Sequence, residues 1–438
     1  MKTFSKSLLL LLVLSLVLVG CSTNNSGKQN ASKNESPSNS DSSAGGKSET
    51  IELDYWVPFS GTDGEFMEAM VKAFNESQSD IKVNFMNNNW DNFYTKLQTA
   101  IVSNSGPDVA ASHVSQLANL IATDKVAKLD DLASAANVDW SSYNESQLNA
   151  TKVDGAQYAV PLDTHAVIMY YNTEYLEQAG LLNSDGSLNI EPGAEGFTNM
   201  LRTLKETLPS DVSPFIFGSN NVFSYWIWYA LVNQMPGQSV YAEDGSPTVN
   251  TEAGIKAAAL LRSWIEEGLA PSDIGDQSYD IFKNGDAAVT FTGVWSTGNF
   301  ETNPDLKFTA APFPVLFEEA GAWGDSHTTI VLENSDNDKK VAALKFADWL
   351  ADNGHMWAKA GHVPVKPSVI ESEEYKQLPY RASYAAVLND VAYAPITNKL
   401  GGMSDVIREA LVEINYGHIS VEEGLAKAQA NAESIFGK

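Results

Sequence analysis

A single cysteine, Cys21, occurs among the 438 residues. One cysteine closes no intrachain disulfide and builds no cysteine-based metal site. Histidine is scarce as well, at six residues, and 28 basic residues face 55 acidic ones for a formal net charge of −27. A chain so poor in lysine and arginine lacks the basic stripe that nucleic acid demands, so no nucleic-acid partner is expected. The acidic excess favours solubility and names no ligand. Two catalytic signatures are missing too: there is no H-E-x-x-H pair and no Walker loop. Gly324-Asp325-Ser326-His327 sets a serine beside a histidine, but Thr328 stands where a nucleophile elbow needs its second glycine. A glycosidase needs only two well-spaced carboxylates, a pattern that a chain this acidic leaves open.

What is present is a folded protein's composition, 43% hydrophobic and 10% aromatic with ten tryptophans. The length implies two or three domains. Lys2 and Lys6 precede the apolar run Leu8–Val19, which predicts a signal peptide over residues 1–20. That run is too short to commit to a membrane span. Leu18-Val19-Gly20-Cys21 resembles the lipobox of bacterial lipoproteins, which implies lipid attachment at Cys21 and a membrane anchor there. Residues 22–49 contain no Val, Ile, Leu or aromatic residue. Such a stretch cannot bury a core, and residues 21–49 read as a flexible tether with a reach on the order of 30 Å.

Beyond the tether the pattern turns regular. Thr50–Val57 alternates as a strand, Glu65–Ser77 carries Phe66, Met70 and Phe74 at helical spacing, and Ile81–Phe85 alternates again. Trp90–Ser103 is a second helix, followed by the turn Gly106-Pro107, a short strand, and a helix over Ser115–Thr123. This β-α-β-α-β-α order predicts a parallel sheet covered by helices. Strand character over Gly155–Pro161 and an apolar strand at Val167–Tyr171 flank the polar Leu162-Asp163-Thr164-His165, read as a crossing between lobes. Asn183–Ser187 lacks the spaced acids of a calcium loop and reads as a β-turn. In Phe282–Phe300, Gly285 ends a helix in the left-handed conformation. Ala287–Thr292 then forms a strand, Gly293 breaks it, and Trp295 emerges past its carboxyl end, where open α/β sheets hold ligands. Ala320–Asp325 reads as a Gly-rich loop, Thr328–Leu332 as a strand, Lys339–Asn353 as a helix and Gly361–Val365 as a second crossing.

Four of these segments together resemble a known family: Gly106-Pro107-Asp108-Val109; Gly155 through Pro161 with Tyr170-Tyr171-Asn172; Phe282 through Trp295; and Lys345-Phe346 through Pro364. They are similar, in order, to the extracellular solute-binding proteins of ABC importers, specifically the sugar-binding family related to maltose-binding protein. The resemblance implies an α/β, two-lobed periplasmic-binding-protein-like fold with a hinge and an interlobe ligand cleft. Lobe 1 would comprise residues 50–162 plus 323–365, and lobe 2 residues 163–322 plus 366–438. The implied function is capture of a carbohydrate, an oligosaccharide in view of the many tryptophans, and its delivery to the transmembrane subunits of an ABC permease. The protein would be a monomer anchored outside the cell membrane, not an enzyme, without cofactor or metal. The alternatives are a glycerol-phosphate or other small-solute receptor of the same fold, and a secreted carbohydrate hydrolase.

A sugar presents apolar C–H faces and a rim of hydroxyls, so its cleft needs flat aromatics and polar side chains together. The candidates are Trp295 from the family motif; Asp163 and His165 at the first crossing; and His113 and Gln116 beyond the short strand. Ser60 and Asp63 in the first strand-to-helix loop, Trp323 and Asp325 in the Gly-rich loop, and His362 join them. Trp226 and Trp228 lie two apart on a helix and cannot share a face, so only one of them should reach the ligand. Trp90 reads as a packing anchor. None of these loops carries Lys or Arg, which favours a neutral ligand over a phosphate. After Gly-Pro-Asp the chain runs Ala110-Ala111-Ser112-His113 in place of the aromatic and acidic cluster of maltose-binding protein, which argues against maltose itself.

Overall fold

The computed structural model describes residues 50–59, 62–333 and 336–437. The signal peptide, the tether with Cys21, and Ser60 lie outside the described residues. In chain order the strands are β1 (Ile51–Val57), β2 (Ile81–Asn87), β3 (Val109–His113), β4 (Lys152–Val153), β5 (Ala156–Gln157), β6 (Ala159–Pro161) and β7 (Asp163–Asn172). They continue as β8 (Ser213–Ile216), β9 (Ala287–Gly293), β10 (Phe308–Ala311), β11 (Ala322–Asp325), β12 (His327–Val331), β13 (Val363–Pro364) and β14 (Val391–Ala392).

The first sheet has the order β2-β1-β3-β12-β6. The opening β-α-β-α-β run makes its parallel half, since β1 pairs parallel with β2 and β3. The sheet is nevertheless mixed: β12 runs antiparallel to β3 and to β6. β12 follows β11 of the other sheet and enters without a helical crossover, which frees it from the parallel direction. Alternation along β1 turns Leu53, Tyr55 and Val57 into a core with Met70, Phe74 and Phe346. Tyr55 meets Phe346 edge to face at 5.1 Å. Each such buried side chain contributes roughly 1.5–3 kcal/mol.

The second sheet is ordered β14-β11-β7-β9-β8, and β10 and β13 also pair with β7. All ten residues of β7 are buried. A central strand covered on both faces loses the polar alternation of an exposed sheet. The helices Gly193–Thr207, Val222–Val232, Glu252–Glu266 and Leu400–Tyr416 contribute to the same core.

Two expectations change here. Asp163, Thr164 and His165 are not a crossing loop; they open β7 and are buried. Residues 322–325 are not a loop either, because Gly324 and Asp325 pair antiparallel with Ala166 and His165. Gly324 permits that approach, as a Cβ there would lie 2.8 Å from the His165 carbonyl oxygen. Sheet membership therefore changes between β11 and β12, at Ser326, rather than at Trp323. β13 likewise belongs with the second sheet, through Val363–Thr164 and Pro364–Asp163 pairing. The chain passes between sheets at Leu162, at Ser326 and ahead of Val363.

Candidate ligand-binding cleft

A cavity of about 910 Å3 lies where the two sheets approach each other, lined from both sides. That is the size of a small-molecule site. Phe59, Asp63, Trp90, His113 and Gln116 come from the first-sheet side; Trp226, Tyr279, Trp295, Trp323 and Asp325 come from the second. His165, His327 and His362 form its floor between them, so four of the six histidines reach this one cavity.

The aromatic wall follows from helix and strand geometry. On helix Val222–Val232, Trp226 faces the cavity while Trp228 turns into the core, fully buried, with Nε1 donating to the Gly254 carbonyl at 2.9 Å. Trp228 is therefore removed from the candidate ligand contacts. Trp228→Phe should lower stability by about 1–2 kcal/mol through the lost hydrogen bond and volume. Ligand affinity should stay within about twofold, which melting and calorimetric titration of the variant would check.

Trp226 stacks on Trp323 at 3.9 Å and 18°, and meets Trp295 edge-on at 5.8 Å. Trp295 Nε1 donates to the Tyr279 hydroxyl at 3.2 Å. The glycine two residues before Trp295 is a steric requirement: a Cβ on Gly293 would lie 2.1 Å from the Trp295 ring. That glycine lets the ring fold back over the end of β9.

Beneath the floor sits Asp163, fully buried and absent from the cavity lining. It does not line the cavity as expected; it holds the rings that do. Its Oδ1 accepts from the His327 backbone N–H at 3.0 Å and lies 3.1 Å from His165 Nδ1. Its Oδ2 lies 2.6 Å from His327 Nδ1 and accepts from Trp357 Nε1 at 2.5 Å. Burial alone would raise this carboxyl, yet His327, His362 and His165 around it hold it well below the usual carboxylate range. Burial lowers His327 to about 4 against the pull of Asp163. Burial also opposes protonation of His362, but the Asp163 and Asp63 carboxylates carry it above its ordinary value. His113 is pushed down by burial and by the neighbouring imidazoles; its Nδ1 lies 2.5 Å from the Tyr94 hydroxyl. With Nδ1 engaged on His113, His165 and His327, each ring keeps Nε2 for the cavity.

Asp63 and Asp325, with Asp276 and Asp280, add carboxylates to the polar lining. Asp63 Oδ2 lies 3.2 Å from His362 Nε2, while its Oδ1 is buried with no hydrogen-bond partner among the described residues. An orphaned carboxylate oxygen at a cavity wall is a ready acceptor for a ligand hydroxyl. Asp325 accepts from the Ser326 and Ser115 backbone N–H groups at 2.8 and 3.4 Å, and burial raises its carboxyl despite His165. Gln116 lines the cavity from the short turn after β3.

Several lining residues escaped the sequence reading: His327, Tyr279, Asp276, Tyr393 and Arg408. His327 was visible only as the neighbour of Ser326. In the fold the two diverge, His327 toward Asp163 and Ser326 Oγ toward the Tyr393 hydroxyl at 2.9 Å. Arg408 corrects the expectation of a cleft without a cation. It comes from helix Leu400–Tyr416, not from a loop, and its Nη2 lies 3.4 Å from Asp405 Oδ1.

Two mixed α/β sheets, three chain passages between them and a cavity lined from both sides define a two-lobed binding-protein fold. Residues 59–357 match the bacterial extracellular solute-binding proteins, and the chain belongs to that family. An arabinooligosaccharide-binding protein of Bacillus subtilis (strain 168) is 23% identical over 387 residues, covering 84% of this chain and 82% of its own. The GacH receptor of Streptomyces glaucescens GLA.O, solved unliganded and with acarbose, superposes with a TM-score of 0.77 at 19% identity, over 89% of this chain and 99% of that one. UgpB of Mycobacterium tuberculosis, solved in complex with glycerophosphocholine, matches at 0.77 and 20% identity over the same shares. Among the described residues no helix is long and apolar enough to cross a membrane.

Proposed function

We propose that this chain is the substrate-binding subunit of an ABC importer, held outside the cell membrane by a lipid on Cys21, and that its cargo is a carbohydrate, an oligosaccharide in particular. The observation that carries the reading is the pairing of the aromatic wall of Trp226, Trp295 and Trp323 with the polar groups of His165, His327 and Asp63 in one cavity. Aromatic faces cover the C–H faces of sugar rings, and carboxylates and imidazoles exchange hydrogen bonds with the hydroxyl rim. A volume of about 910 Å3 leaves room for more than one ring. The lobes are proposed to divide at Leu162, Ser326 and just before Val363, and to close on the ligand by rotation about those passages. Captured sugar would then pass to the permease subunits. The reading is of a binder without catalytic activity.

Arg408 favours a second reading, a glycerol-phosphate-like solute. Against it, Asp63, Asp276, Asp280 and Asp325 line the same cavity, so the local field disfavours an anion. A thermal-shift screen of neutral oligosaccharides against phosphodiesters separates the two. A neutral oligosaccharide at about 100 times its Kd should stabilise the protein by ~2.7 kcal/mol. Arg408→Gln should change sugar affinity less than about 10-fold, or ~1.4 kcal/mol. Stabilisation by phosphorylated compounds alone, lost in Arg408→Gln, would replace the carbohydrate reading with the phosphodiester one.

A further inference from the structure

We propose that Asp163, His165, His327 and His362 form a transition-metal site, suited to Zn2+, directly beneath the cleft floor. One ligand atom from each residue can be chosen so that all four lie within 4.8 Å of one another, and all four side chains are buried. The distances from the Asp163 carboxylate oxygens to Nδ1 of His165, His327 and His362 are 3.1, 2.6 and 3.3 Å. A tetrahedral ion with bonds of about 2.0–2.1 Å separates its ligand atoms by about 3.3 Å, so four ligand atoms that lie within 4.8 Å of one another would draw together on binding.

His362 makes the case specific. Its Nε2 engages Asp63 Oδ2 at 3.2 Å, while Nδ1 is buried, lies 3.3 Å from Asp163 Oδ2 and has no hydrogen-bond partner among the described residues. A positive charge belongs between these two atoms, a proton on Nδ1 in the empty site or a metal ion that replaces that proton on binding. Three imidazole nitrogens and one carboxylate oxygen suit zinc, whereas calcium and magnesium call for a shell of oxygens. The ligands are themselves held: Trp357 Nε1 and the His327 backbone N–H donate to Asp163, and Asp63 fixes the far side of His362. Such outer partners orient imidazoles at metal sites. Charge also closes, because a divalent ion beside the Asp163 and Asp63 carboxylates leaves the buried group neutral.

The ligands come from three separate places, the start of β7, the start of β12 and the residue before β13. They are the three passages of the chain between the sheets. A bound ion would tie these passages together while leaving Nε2 of His165 and His327 facing the cavity.

The test is a titration of the full chain, stripped with a chelator, with Co2+ and then Zn2+. The expected result is one Co2+ per chain with the intense visible bands of tetrahedral coordination, displaced by Zn2+, and a higher melting temperature with Zn2+. His362→Gln and His327→Gln should each weaken Co2+ binding at least 10-fold with near-ultraviolet dichroism retained. The double change His355→Gln with His418→Gln, outside the cluster, should leave binding as it was. Absent or octahedral bands in the unaltered protein would overturn the proposal and leave a cluster that holds protons only. Co2+ binding untouched by both cluster substitutions would overturn it equally. Should either variant fail to fold, the coordination bands of the unaltered protein decide.

Discussion

Trp295→Ala is expected to weaken carbohydrate binding about 100-fold, or ~2.7 kcal/mol, while lowering the melting temperature by only about 2–5 °C. The asymmetry follows from where the ring sits. Trp295 is only partly buried and stands among Trp226, Phe223 and His165, with the cavity on its remaining side. Removing it deletes a platform that a sugar ring would complete, but few contacts of the core. Trp228 reverses both terms, being fully buried and remote from the cavity lining. Calorimetric titration and thermal melting of the two variants side by side measure the contrast. A large loss of stability in Trp295→Ala with affinity unchanged would make Trp295 a core residue.

Asp163→Ala is expected to be the most damaging substitution for stability, at about 3–5 kcal/mol, a fall in melting temperature of about 6–10 °C. Its carboxylate accepts from the His327 main chain and Trp357, and engages the side chains of His165 and His327. Alanine leaves these buried groups without a partner, and unsatisfied groups cost more than the mean worth of the bonds removed. Two of the orphaned rings form the cleft floor, so affinity should fall as well. Thermal melting of the variant checks the first effect. A shift under about 2 °C would mean that Asp163 does not organise the passages.

Elements governed by local chemistry were legible from the residues. The first helix-strand alternation shows in apolar spacing, and Gly285 does adopt the left-handed conformation, with φ of 86°. Trp295 was legible because Gly293 marks the break that presents it. The parity of Trp226 and Trp228 followed from helix geometry, but which one faced the cavity depended on Gly254, 26 residues away. Asp163 and His165 looked like loop residues because polar side chains at a strand start contradict an apolar pattern. Their partners, His327 and Trp357, lie 164 and 194 residues from Asp163 along the chain, beyond any periodicity. Arg408 carries no local signature either; the packing of its helix alone brings it to the cleft.

Calorimetric titration of the full chain with neutral oligosaccharides, from disaccharides upward, and in parallel with glycerophosphodiesters, bears most directly on the central claim. The expected result is saturable one-to-one binding of a neutral oligosaccharide, with the negative heat-capacity change of apolar burial and with Trp295→Ala about 100-fold weaker. Saturable binding of a phosphodiester with no heat from any oligosaccharide would contradict it.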